Sequence, residues 1–513
     1  MIVKNLNFGD EARDQVFKGI EKLTNAVSST LGASGKCVIL EDAQGNPMIT
    51  KDGVTVADSI TLLNPVENIG ARLIKEAARK TVKEAGDGTT TATILAHSIL
   101  KEAYAKLNKK NGRIIKEGIL SAVDKVIDYL NNTSVPVDEK IKEIATISTN
   151  NDSELGSLIA DAFMAVGKTG VVIMEPSSLG ETKIEIVEGV EYDKGLLNQN
   201  FITNKENSTC ELEKPLVLIV DSKIDSIRQI QGVLEHVIKA NKALLIIGQV
   251  EAPVLSALVM NKIKGNIKIN VIDPPAFGLR RKEILEDLSL LTSAQIINED
   301  LGDDLNTIQI DYLGECLKAT TSNDQTIIQV SEINNEVEKI ISNIKEKLTT
   351  KLKPHQVIGY EQRLARLSAK VAIVKVGANS DIELKEKQDR VEDAICATKA
   401  AIKEGIVAGG GIALLNAATS INEENIGEEI LLKSILYPFK VILENAGIVP
   451  NVPQKEGYGI NVVTGNMVHM ISEGIIDPLL VTKSALTNAA SVATTILSTD
   501  CVINNIRVDE SSR

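Results

Sequence analysis

Gly86-Asp87-Gly88-Thr89-Thr90-Thr91 ends one helical pattern and opens another, setting an acid and three hydroxyls at the start of the new helix. The first N–H groups of a helix have no partner within it, and the dipole places partial positive charge there, so such a start suits a phosphate. Glycine on either side of Asp87 lets the backbone approach a ligand that a Cβ would block. The threonines add hydroxyl donors, and Asp87 is suited to hold a magnesium ion beside phosphates. Taken alone, Gly-Asp-Gly also reads as an ordinary N-cap, because Asp and Thr are common caps.

Composition narrows the setting. A chain of 513 residues is expected to form more than one compact unit. With 43% hydrophobic and 24% charged residues it reads as soluble and globular, and a net charge of −13 speaks against nucleic acid as the main partner. The basic cluster Lys106, Lys109, Lys110, Arg113 and Lys116 reads as a solvated surface. No apolar run approaches the roughly 20 residues that span a bilayer, so no membrane partner is expected. Met1–Arg13 carries Asp10 and Glu11 without an apolar core, unlike a secretory signal. Five scattered cysteines and four dispersed histidines fit a reducing compartment and give no obvious zinc site or triad. Trp is absent and aromatics are 3%, so the core is expected to be aliphatic.

Periodicity divides the chain. In Glu11–Thr30, Val16, Ile20, Leu23 and Val27 recur at helical spacing, and helical patterns return at about 66–84, 89–107 and 112–131. Cys37–Leu40 and Pro47–Thr50 around Gly45-Asn46 predict a β-hairpin; Ser134-Val135-Pro136 marks a break. In the middle, β-rich runs at Leu216–Val220, Leu244–Ile247 and Ile267–Ile272 alternate with helical segments at about 224–240, 252–264 and 279–292, which predicts βαβ units with a largely parallel sheet. Charged helical stretches near 332–348 and 355–369 precede a strand at Val371–Val376 and a long charged helix at about 381–404. The last hundred residues are again helical.

Four further segments carry chemistry suited to join Asp87, each with an ordinary alternative. Thr30-Leu31-Gly32-Ala33-Ser34-Gly35 offers small residues to a phosphate, or a helix C-cap at Gly32. Thr50-Lys51-Asp52-Gly53 offers a cation and an acid, or a hairpin turn. Arg390-Val391-Glu392-Asp393 supplies acids, or a solvated helix face, and Gly409-Gly410-Gly411 fits beside a ribose or base, or serves as a connection.

Together, Gly32 to Val56, Gly86–Thr93, Arg390–Gly411 and Tyr458–Pro478 resemble the group I chaperonins, the GroEL-type family, in order and approximate spacing. Val187–Gly195 (VEGVEYDKG), Phe277–Lys282 (FGLRRK) and Lys483–Ala493 (KSALTNAASVA) fit as well, so the resemblance covers essentially the whole chain. The middle segment lacks an obvious lid-forming extension, which speaks against the group II chaperonins, although those share Gly-Asp-Gly-Thr-Thr.

The resemblance implies a multidomain α+β and α/β subunit. Its mostly helical equatorial domain would comprise 1–132 and 405–513, its small intermediate domain 133–188 and 373–404, and its α/β apical domain 189–372, with Gly189 and Gly377 near the hinges. It implies ATP, Mg2+ and K+ as cofactors. Thr30, Leu31 and Gly32 would line the phosphate and base side; Lys51 would sit beside the phosphates, with nearby carbonyls serving K+. Asp87 would hold the metal and Gly88, Thr89, Thr90 and Thr91 the phosphates. Asp52 and Asp393 would position and activate the attacking water, and Gly410, Asn461, Ile475 and Asp477 would hold base and ribose. Because Asp393 lies on the intermediate domain, closure of that domain would complete the site. The implied activity is ATP hydrolysis by in-line transfer to water, driving a cytoplasmic homo-oligomeric chamber of heptameric rings that folds non-native client proteins with a co-chaperonin. Phe201, Leu234, Leu255, Val259 and Met260 would form the client groove, although residues at helical spacing also read as core.

Departures from the family qualify these expectations. Gln231 stands where an apolar groove residue is expected, and Leu196 and Asn200 replace aromatics. At the expected ring-to-ring contact Lys440 keeps its charge, but Val449, beside the apolar Ile448, occupies a usually acidic position; a weakened double ring follows. Ala33 replaces a proline, and no glycine-methionine-rich tail precedes Arg513. Two rivals stand beside the folding machine: a small-molecule ATPase or phosphotransferase, for which no acceptor pocket is identified, and a chaperonin-derived holdase or scaffold with altered cycling, single-ring and without a separate co-chaperonin. The presence of Asp52, Asp87 and Asp393 argues against the latter.

Overall fold

In the computed structural model of the protein the two chain ends are paired, Lys4–Phe8 running antiparallel to Cys501–Asn505 with Lys4 opposite Asn505 and Phe8 opposite Cys501. The structure describes residues 4–505 except 42–44, 46, 108–111, 138–139, 150–151, 168–169, 178–179, 206, 275–278, 331–334, 349–359, 361–362, 365–366, 368–369, 379 and 454. Lys109, Lys110, Phe277 and Gly278 of Phe277–Lys282, and most of the helical stretch expected near 355–369 therefore lie outside the described residues.

The chain divides into two compact units, Met1–Ala160 with Pro176–Thr182 and Val376–Arg513, and Asp161–Glu175 with Lys183–Lys375. The first unit is mainly helical. Gly9–Ser28, Pro65–Ala85, Thr89–Leu107, Gly112–Thr133, Ile426–Ser434 and Leu479–Leu497 pack around one aliphatic core. The predicted stripe Val16, Ile20, Leu23 and Val27 is buried in it, beside Ile74, Leu95, Ile99 and Leu486. Each such side chain contributes about 1.5–3 kcal/mol relative to exposure. Local chemistry sets the helix ends. Asn64 caps Pro65–Ala85 by accepting from Val66 and Glu67 N–H, and Gly86 closes it at φ 74°. Leu479–Leu497 packs on both Pro65–Ala85 and Thr89–Leu107, which holds the Gly86–Gly88 turn between them.

Two shorter pieces complete this unit around its site. The predicted hairpin is present, Val38–Glu41 pairing antiparallel with Pro47–Thr50. Ile406–Ala408 pairs antiparallel with Ile476–Pro478, and Val135 bridges Ile406 where the sequence breaks after Thr133. Helix Asp381–Glu404, capped by Ser380, packs along helix Ile141–Ser148 through Ile144, Ala397 and Ala401.

The second unit contains the predicted parallel sheet. Ile296–Ile297, Leu216–Ile224, Ala243–Val250 and Lys268–Ile272 are neighbours in that order and parallel, with Gly314–Glu315 antiparallel on Leu216–Ile224. Leu216–Ile224 runs four residues past the predicted Val220, through an irregular register, so the following helix begins later than expected. A capping box between Ser226 and Gln229 starts a 3₁₀ turn at Ile227–Ile230, and the α-helix proper is Gln231–Ala240. A second sheet orders Val171–Pro176, Lys370–Val376, Lys183–Tyr192, Thr326–Val330, Lys318–Thr321 and Cys210–Glu213.

Candidate functional site

A cavity of about 850 Å³ in the first unit gathers every residue assigned above to nucleotide and water: those of the loops 30–32 and 51–52, the 87–91 turn, and Asp393, Gly410, Asn461, Ile475 and Asp477. They come from widely separated segments, and each is placed by a local cause.

The 86–91 turn is built from two left-handed glycines, Gly86 at φ 74° and Gly88 at φ 92°. A Cβ at Gly88 would stand 2.7 Å from Val481 Cγ1, so the turn needs glycine for space as well as for conformation. The next helical hydrogen bond runs from Ala92 N–H to Gly88 O at 2.9 Å. The N–H groups of Thr89, Thr90 and Thr91 thus precede the intrahelical ladder at the cavity wall, as an anion site requires.

Asp52 is the N-cap of helix Gly53–Ser59. Its carboxylate accepts from Val54 N–H (3.1 Å) and from Thr55 N–H and Oγ1 (2.7 Å each), so its direction is fixed. The stretch is therefore a helix start and not the hairpin turn of the alternative reading, since the hairpin's second strand already ends at Thr50. Lys51 beside it has a pKa lowered first by burial and then by the Arg390 charge, with Cys37 and Glu386 opposing. Helix Gly9–Ser28 ends at the Ser29 cap, so Gly32 is not its C-cap; it lies beyond the helix at φ 85°. Asn445 holds the loop by donating to Ser28 O and Leu31 O, both at 2.9 Å.

On the opposite side, pairing of Val407 with Asp477 brings the Gly409–Gly411 turn against Ile475, and Gly409 N–H donates to Ile475 O at 3.0 Å. Asn461 accepts from Val463 N–H at 3.0 Å through its side-chain oxygen, fixing its amide at the mouth of the Tyr458–Ile460 and Met467–His469 hairpin.

Helix Asp381–Glu404 delivers Asp393 to this same cavity, together with Glu386, Asp389 and Arg390. These last three were not assigned roles from the sequence, although 386, 389 and 393 share one helical face, which is the signal that marks them. Loss of bulk water raises the Asp393 pKa well above the usual carboxylate value, and Asp87 and Asp52 push it further. Asp87 is raised by burial and by Asp52, against its hydrogen bond from Gly88. Asp477 is raised to about 7 by burial and then by Asp87. Asp87 and Asp393 thus face the cavity as mutually repelling carboxylates beside the open helix N–H groups, and among the described residues no group of three or more acidic, histidine or cysteine side chains is placed to hold a metal ion.

The sign of the Asp477 shift gives a test. Between the ordinary value of 3.8 and about 7 the folded chain holds a proton that the unfolded chain has released, so stability is lost as pH rises through that window. Thermal unfolding without nucleotide is expected to fall between pH 5 and 7.5, and Asp477→Asn to reduce that fall by on the order of 2 °C. An unchanged pH slope in the variant contradicts the assignment.

In the second unit the groove expectation needs correction. Phe201 is fully buried and Val259 is 6% exposed, both in the core beneath helices Gln231–Ala240 and Ala252–Ile263. Leu234 and Leu255 are half-buried against that core; Met260 is exposed, as are Ile238 and Ile263, which the sequence reading did not name. The core reading prevails for Phe201 and Val259 because helical spacing identifies an apolar stripe without saying which part of it meets the sheet. Leu196 also packs against the core, while exposed Gln231 donates to Glu235 at 2.9 Å and Asn200 is exposed beside Lys262, which donates to its carbonyl at 2.6 Å.

Two of the solved structures that share this fold illustrate the likeness. Both are of the chaperonin gp146 from the bacteriophage EL 2 (Pseudomonas aeruginosa), in presence of ATP-BeFx. Crystal form II matches with a TM-score of 0.75 at 21% identity, and crystal form I with 0.66 at 20%; each match covers 98% of this chain and 99% of the other. The family model described as "TCP-1/cpn60 chaperonin family" matches residues 23–507. The chain belongs to the TCP-1/cpn60 chaperonin family.

Proposed function

We propose that this chaperonin hydrolyses ATP in the cavity around Asp87 and uses the cycle to fold non-native proteins inside a ring-shaped chamber. The observation that carries the reading is the convergence of the Gly86–Thr91 helix start with Asp52 and Asp393 on one cavity. The N–H groups of Thr89–Thr91 and the Lys51 ammonium bind the phosphates; Gly410, Asn461 and Ile475 seat the base, and Asp477 accepts from the ribose hydroxyls. Magnesium held by Asp87 would neutralise phosphate charge, and K+ would be served by carbonyls near Lys51. Asp393, its basicity raised by its surroundings, orients and deprotonates the attacking water, while the capped Asp52 fixes the water's second hydrogen bond. The phage chaperonin crystallised in presence of ATP-BeFx is in keeping with nucleotide at this fold.

The assembly in this reading is a cytoplasmic group I heptamer, its subunit divided into equatorial (1–132 and 405–513), intermediate (133–188 and 373–404) and apical (189–372) domains. Clients and a co-chaperonin meet the apical face bearing Met260, Ile238 and Ile263, which are 52%, 51% and 59% exposed. Val449 is 84% exposed, and Lys440 lies over the Tyr437 ring at 5.1 Å, an arrangement that favours a weak double ring. Electron microscopy and native mass measurement with and without ATP test this. Closed rings are expected, single in part of the cycle. A salt-resistant double ring in every nucleotide state contradicts the weak double ring, and monomers throughout contradict the chamber.

A further inference from the structure

Asp393 is useful only if its helix lies close enough to the Asp87 turn, and the helix face that meets this turn is built from small residues. Cys396, one turn beyond Asp393, faces Gly86. A Cβ built on Gly86 would lie 2.5 Å from Cys396 Cβ and 2.8 Å from its Sγ. One further turn along, Ala400 packs with Ala85 and Val481 in a small buried cluster, and Val481 is the residue that abuts Gly88. Asp393, Cys396 and Ala400 are thus spaced i, i+3 and i+7 on one face, and that face rests on Ala85, Gly86 and Val481. Burial in this joint pushes the Cys396 thiol up to about 12, so it stays an uncharged spacer.

We infer that the interlock of Cys396 with Gly86 sets the approach of helix Asp381–Glu404 and makes Cys396 a positioning residue for Asp393 in hydrolysis. The inference rests on the catalytic reading of Asp393 given above. A thiol fits the gap; a branched side chain of four carbons does not, and the helix must then stand off. The phosphate cradle belongs to the 86–91 turn and the Thr89–Leu107 helix, so nucleotide affinity is retained while the attacking water loses its base. A displacement on the order of 1 Å suffices for a loss of about 100-fold.

The test is a double-mutant comparison in single-turnover ATP hydrolysis by the assembled protein, with ATP affinity measured alongside. Cys396→Leu is expected to lower the hydrolysis rate constant about 100-fold with ATP affinity within about threefold, and Cys396→Ser to restore the rate. In the Asp393→Ala background Cys396→Leu is expected to cause no further loss, because its effect passes through that carboxylate. If Cys396→Leu does not assemble, Ala400→Val adds bulk one turn further along the same helix face, against Ala85 and Val481 and outside the phosphate cradle, and is read in the same way. A wild-type rate in Cys396→Leu overturns the inference. So does an equal loss with and without Asp393, which marks a general structural lesion and leaves the role of Asp393 standing. A wild-type rate in Asp393→Ala alone overturns the catalytic reading itself, and the inference with it.

Discussion

Replacing Asp393 by alanine is expected to lower the rate constant of ATP hydrolysis about 100-fold or more while ATP still binds. The carboxylate reaches the cavity from helix Asp381–Glu404, whereas the open N–H groups proposed to bind the phosphates belong to Thr89–Leu107. The two functions are therefore carried by different elements and separate on mutation. Burial and the neighbouring Asp87 and Asp52 raise its pKa, as a proton acceptor near neutral pH requires. Rapid-quench hydrolysis with a parallel binding isotherm checks the prediction. Equal losses in binding and turnover would place Asp393 in ground-state binding, and no loss would remove it from the chemistry.

The second large effect concerns Asp87. Asp87→Asn keeps the shape of the turn but deletes a half-buried charge that has Asp52 and Asp393 as neighbours. In the absence of nucleotide the variant is expected to unfold at a higher temperature than the wild type, since carboxylate repulsion is relieved. With magnesium present its ATP turnover at limiting substrate is expected to fall on the order of 100-fold or more, because an amide is a poor ligand for a hard divalent cation. The opposite signs make the pair diagnostic: a variant that is both less stable and less active has merely lost a turn, and one with unchanged turnover shows that Asp87 holds no metal. Thermal unfolding without ligand and kcat/KM at varied magnesium provide the two readings.

The residues behind these two effects are unequally legible in the sequence. Helices Thr89–Leu107 and Asp381–Glu404 lie where the sequence pattern puts them, because glycine or a serine cap punctuates them and apolar or charged periodicity fills them. The parallel strands Ala243–Val250 and Lys268–Ile272 were legible as β-rich runs between helical segments. The convergence of Gly32, Lys51, Asp87, Asp393 and Asp477 was not legible from spacing; it needed the resemblance, since hundreds of residues separate them in the chain. Glu386, Asp389 and Asn445 escaped because a charged helix face and a polar residue at a helix end have commoner explanations. Phe201 and Val259 were misplaced for a different reason. An apolar residue at helical spacing is equally compatible with core and groove until the sheet beneath it is known.

The decisive measurement is refolding of a denatured client, followed as recovered activity against ATP consumed. Recovery is expected to require ATP, to proceed with the wild-type chain, and to fall with hydrolysis in Asp393→Ala. Steady ATP turnover with no recovery of any client, or equal recovery without ATP, would contradict it.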